Sequence, residues 1–160
     1  MQKKGVGYLI IFISIISFLS FSASNTYKCQ IKMKKYTGEG AYIITSLINP
    51  EGAYVETLHV CGNDHDWFNE ITNWWSFYGK RRNNIDAITG ATISGGQQKV
   101  VVFEIDNDKI NLGYKIRFET AVEDQEYYTK DVEIEFKHET VMKTISGSGF
   151  IDQVRIIPQL

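Results

Sequence analysis

The sequence predicts a mainly β protein: an antiparallel Ig-like β-sandwich of about 7–8 strands with one inserted amphipathic helix at about residues 66–78. Three observations carry this prediction. Valine, isoleucine, threonine, tyrosine and phenylalanine dominate the composition, and the chain has only 2 prolines, a bias that favours strands. Short runs of alternating apolar and polar residues recur along the chain, separated by turn signals. The period changes to that of a helix only once, around Trp67.

Taken in order, Cys29, Ile31 and Met33 alternate with Lys28, Gln30, Lys32 and Lys34, which describes a half-buried strand over 27–34 with a basic outer face. Thr37-Gly38-Glu39-Gly40 reads as a turn. The run from Tyr42 to Ile48 is apolar on both faces and so predicts a central strand. Asn49-Pro50-Glu51-Gly52 joins it to a third strand, Tyr54 to Val60, as a hairpin, with Pro50 fixing φ and Gly52 free to take a positive φ. Trp67, Ile71, Trp74, Trp75 and Tyr78 then fall at helical spacing. Asp64 or Asp66 can cap the helix start and Gly79 its end, and Lys80, Arg81 and Arg82 suit the negative end of the helix dipole. Gly95-Gly96 and Asp106 to Lys109 bracket a strand over 99–105. Two alternating runs follow, Leu112 to Phe118 and Asp131 to Lys137, with an acidic loop at Glu123 to Glu126 between them. A last pair, Thr140 to Ile145 and Phe150 to Ile157, is joined by Ser146-Gly147-Ser148-Gly149.

The N-terminus is a separate object. Lys3 and Lys4 precede an apolar run from Val6 to about Phe21, closed by the small residues Ser22-Ala23-Ser24. This is the pattern of a secretory signal peptide over 1–24, leaving a single extracytoplasmic domain over 25–160. If the segment is retained, it serves instead as a membrane anchor. Without Lys3 and Lys4 the 17 basic residues become 15 against 19 acidic ones, a net charge of about −4. A mildly acidic domain lacks the basic face that nucleic acid requires. Cys29 and Cys61 can pair as a disulfide in an oxidising compartment, or remain two buried thiols. His59, His65 and His138 are scattered, and no metal-ligand spacing stands out. Neither a Ser-His-Asp arrangement nor paired carboxylates emerge, so the chain is not expected to be an enzyme.

The most distinctive stretch is Asp86-Ala87-Ile88-Thr89-Gly90-Ala91-Thr92. It contains two hydroxyls, a carboxylate and small residues, in a polar connection between the helix and a Val-rich strand. Such residues also suit an ordinary turn. The stretch resembles the recognition motif of flavin-transferase substrates, Asp-x-x-Ser/Thr-Gly-Ala-Thr/Ser, matching it at Asp86, Thr89, Gly90, Ala91 and Thr92. Similar motifs occur in FMN-binding domains of the sodium-pumping quinone reductase and related membrane electron-transfer systems. The resemblance implies FMN joined by a phosphoester to Thr92, with small residues before it so that the backbone can approach a bound dinucleotide.

Over roughly 40–157 the chain also resembles a family of uncharacterised periplasmic domains of predicted β-sandwich form. The likeness rests on "EGAYVETLHV", the tryptophan pair, "DAITGAT", "VVFEIDND" and "YKIRFETAVEDQ". Cys61 and Phe103 depart from the pattern, at positions where that family favours an aromatic residue and a tryptophan. The resemblance implies an extracytoplasmic flavoprotein electron carrier, modified by a flavin transferase and exchanging electrons with a membrane-bound reductase or another redox protein. Trp74 and Trp75 fit either core packing or flavin stacking. Lys80, Arg81 and Arg82 fit either a solvated helix end or contacts to FMN or the transferase. The alternative function is an unmodified periplasmic binding or assembly module.

Overall fold

The computed structural model describes residues 23–159. The signal-peptide expectation over 1–24 therefore lies almost wholly outside the described residues. Nine strands form two sheets. They are β1 (Ser24–Met33), β2 (Tyr42–Ile48), β3 (Tyr54–Cys61), β4 (Thr89–Gly90), β5 (Gln98–Asp106), β6 (Lys115–Ala121), β7 (Tyr127–Glu135), β8 (Thr144–Ser146) and β9 (Ile151–Pro158). One sheet has the order β5-β1-β9-β8 and the other β4-β3-β2-β6-β7. Every pairing is antiparallel except that of β3 with β4. The expected sandwich is the fold.

Inward-facing residues of both sheets make the main core. Cys29, Ile31 and Met33 of β1, Ile43 and Leu47 of β2, and Val101, Phe103 and Ile105 of β5 all lie in it. The alternation read in the sequence is thus the pleat of half-buried strands. β2 is apolar on both faces because a second cluster covers its back. There Ile44 packs with Val60, Phe68, Ile71, Trp74, Ile85 and Ala121 under the helical segment.

That segment comes in two pieces: a 3-10 turn over His65–Glu70 and α1 (Thr72–Arg81). Asp64 caps the first piece, its carboxylate accepting from the Asp66 N–H at 3.0 Å. Gly79 does not end the helix. Arg82 takes the left-handed conformation (φ 45) and its N–H donates to the Tyr78 carbonyl at 2.7 Å. Gly79 instead makes room for Trp75, since a methyl group there would lie 2.8 Å from the indole.

β6 starts at Lys115, later than the alternation from Leu112 suggests. Asn111 and Gly113 both have positive φ, which turns the chain and leaves Leu112 exposed. Its polar residues Arg117 and Glu119 are buried rather than solvated. The hydroxyls of Tyr54 and Tyr127 donate to the Glu119 carboxylate, and Arg117 donates to Glu133 at 2.8 Å. A buried charge persists where such partners satisfy it.

Candidate functional site: a hydroxyl-bearing motif on the edge of the sandwich

The motif lies on the connection from α1 to β5 and is strung between two buried isoleucines. Ile85 belongs to the cluster under the helix and Ile93 to the main core. The seven residues are therefore held at both ends by burial in different layers, and Ile88 within them also packs against the cluster under the helix. Asp86 to Ile88 form a single 3-10 turn, with the Asp86 N–H donating to Asn84 Oδ1 at 2.9 Å. The Thr89 hydroxyl donates to the Ile85 carbonyl at 2.8 Å. Thr89 and Gly90 are β4, which extends the five-stranded sheet beside Val60 and Cys61. The Gly62 N–H donates to the Gly90 carbonyl at 2.6 Å, and Lys99 Nζ donates to the Ala91 carbonyl at 2.6 Å.

Thr92 is half-buried. Two features hold it. Ala41 and Ile93 exchange both backbone hydrogen bonds, at 2.8 and 3.1 Å. The Tyr36 hydroxyl donates to the Ile93 carbonyl at 2.8 Å and accepts from the Ala41 N–H at 2.9 Å. The Thr92 side chain rests against Gly40. A methyl group at Gly40 would lie 2.7 Å from Thr92 Cβ and closer still to its hydroxyl. The motif thus divides into a hydroxyl spent on the backbone, that of Thr89, and a half-buried one packed against Gly40, that of Thr92, while Asp86, Ala87 and Ala91 are exposed.

The other expected site residues separate. Trp74 is wholly buried, stacked on Tyr78 at 4.6 Å, with its indole N–H donating to Thr57 Oγ1 at 2.8 Å. It is core, and flavin stacking at Trp74 is ruled out by that burial. Trp75 is half-buried, with the Arg82 guanidinium 5.6 Å above its ring. Lys80 is exposed. Arg81 lies 4.2 Å over the Phe77 ring and borders a cleft of about 540 Å³ between α1, the 83–88 connection and strands β3 and β5. Ala87 and Ile88 line the same cleft, so Arg81 and the first half of the motif share one surface.

Sequence reasoning missed Tyr36, Gly40 and Lys99, because each meets the motif or its flank only through the fold. His59 has both ring nitrogens buried without a partner, and burial, aided by the Lys99 charge, pushes its pKa down to about 4. Cys29 and Cys61 are both buried free thiols, so the disulfide left open by the sequence is not formed here. Burial, with the neighbouring Cys61, raises the Cys29 thiol pKa, while burial pushes Cys61 up to about 11 against the opposing Lys99 charge. Among the described residues, no group of three or more His, Cys, Asp or Glu side chains gathers as a metal site.

Fold and site define a small two-sheet sandwich that displays a hydroxyl-bearing motif along its lateral edge. The chain belongs to a family described as predicted periplasmic protein (DUF2271), whose profile matches residues 24–153. That description supports an extracytoplasmic location, and no helix among the described residues is long and apolar enough to cross a membrane. No curated protein and no solved structure matches the chain.

Proposed function

We propose that this protein is a non-enzymatic extracytoplasmic electron carrier with FMN attached covalently at Thr92. The observation that supports the reading is the complete motif, Asp86, Thr89, Gly90, Ala91 and Thr92, carried on an edge of the sandwich with Asp86 and Ala91 exposed. The residues fit the group: Gly90 and Ala91 precede Thr92 with little bulk, and a methyl group at Gly90 would meet only the flexible end of Lys99 at 3.3 Å. Asp86, exposed, is available for a transferase to read.

Thr92 Oγ1 attacks the phosphorus on the FMN side of the FAD pyrophosphate. The P–O–P bond breaks, AMP leaves, and the hydroxyl proton passes to a base of the flavin transferase. A weak hydroxyl needs that base and a metal ion, both supplied by the transferase rather than by this chain. Bound FMN supplies electron transfer, while the protein supplies position and electrostatics. The membrane-bound reductase and the extracytoplasmic acceptor are the expected redox partners.

Intact mass tests this. Coexpression with a flavin transferase is expected to add one FMN to the wild type and none to Thr92→Ala. An unmodified wild type, under conditions that modify a known substrate, overturns the reading. The 540 Å³ cleft favours a second reading, an unmodified binding module, in which Thr92→Ala leaves function intact.

A further inference from the structure

We infer that the cleft between α1 and the edge of β3 and β5 is the resting site of the isoalloxazine ring of a flavin tethered at Thr92. This rests on the attachment proposed above, and three features point to that occupant. The motif itself lines the cleft through Ala87 and Ile88. From Ile88 to Thr92 the chain can span at most ~14 Å, less than the combined length of a phosphate, a five-carbon ribityl chain and three fused rings.

The lining also suits the ring's two unlike ends. Phe77, Ile88 and Val102 offer apolar surface to the methylated benzene end. Arg81 and Asn84 offer N–H donors to the carbonyls of the pyrimidine end, and Glu56 and Glu104 offer acceptors to its N–H. Finally, Arg81 sits 4.2 Å over Phe77, which places a cation in a cleft wall that also carries the carboxylates of Glu56 and Glu104. Positive charge beside a flavin favours its electron-rich form, a standard way for a protein to tune the cofactor.

The exposed residues Val100 and Val102 of β5 provide a matched test. They are 49% and 48% exposed, but only Val102 lines the cleft. The wild type, Val102→Trp and Val100→Trp are coexpressed with a flavin transferase and first weighed, then titrated with iodide while flavin fluorescence is followed. All three are expected to carry one FMN. Iodide quenching is expected to rise severalfold in Val102→Trp, because the filled cleft leaves the ring in solvent, and to match the wild type in Val100→Trp. In parallel, Arg81→Gln is expected to shift the flavin midpoint potential to a more negative value. Absence of FMN from the wild type overturns the carrier reading and this inference together. Full modification with equal quenching in all three proteins overturns the cleft assignment alone.

Discussion

Gly40→Ala tests whether the packing around Thr92 is as tight as the structure shows. Gly40 has no positive φ, so alanine suits its backbone, and the substitution should gain about 0.4–1 kcal/mol by restricting the unfolded chain. Against this stands a steric conflict. The new methyl would lie 2.7 Å from Thr92 Cβ and 3.5 Å from the Ile93 N–H nitrogen, with the Thr92 hydroxyl nearer still. Overpacking of this kind costs about 1–3 kcal/mol. The segment cannot shift freely, because Ile93 is buried and tied to Ala41 by two hydrogen bonds. A net loss of about 1–2 kcal/mol follows, which for a domain of this size lowers Tm by roughly 3–6 °C.

A double-mutant cycle isolates the contact. Thr92→Ala is the wrong partner, since it keeps the Cβ that clashes. Thr92→Gly removes it, and in that background Gly40→Ala is expected to be neutral or stabilising. Thermal and urea unfolding followed by circular dichroism supply the four stabilities. Equal cost of Gly40→Ala in both backgrounds would refute the assigned contact. Flavin transfer to Gly40→Ala supplies a functional reading of the same perturbation, since a displaced Thr92 presents its hydroxyl differently to the transferase.

Two further perturbations probe the same edge. Gly90→Val should change stability by no more than about 1 kcal/mol, because a strand accepts the residue and only the movable Lys99 ammonium stands near; it should abolish the FMN adduct by intact mass, and global unfolding of this variant would show that the position is structural. His59 should stay neutral until about pH 4 when followed by NMR. Its pKa is lower in the folded chain, so unfolding takes up a proton as pH falls from about 6.5 to about 4, and the contribution of His59 to stability is lost across that window. Lys99→Met should move the His59 titration upward, and an unperturbed midpoint near 6.5 in the wild type would refute the burial of its ring nitrogens.

The strands were legible because alternation reports one buried face, and the two-faced run at Tyr42 to Ile48 correctly marks a strand covered on both sides. The burial of Arg117 and Glu119 escaped the same logic. Their partners Tyr54, Tyr127 and Glu133 arrive from neighbouring strands, and no local period encodes such a meeting. The helix shows the limit of spacing alone. Trp74 and Trp75 are adjacent in sequence but about 100° apart around the axis, so Trp74 enters the core and Trp75 packs only at its margin. Pooling them on one face hides that Trp74 is buried while Trp75 turns toward Arg82.

The motif divides along the same line. Its residue types are local and were readable from seven positions. Its presentation depends on Gly40, Tyr36 and Lys99, which reach it from other strands and turns. Burial of Ile85 and Ile93 in two separate cores explains how so short and polar a stretch keeps one shape. The flanks and Ile88 supply the apolar contacts that fix the stretch, which leaves its exposed residues Asp86, Ala87 and Ala91 free to vary in chemistry without weakening the sandwich. A site built this way can be read by another enzyme while the domain beneath it stays folded, and the Gly40 and Gly90 variants separate those two demands: one strains the seat of Thr92, the other alters only what is displayed.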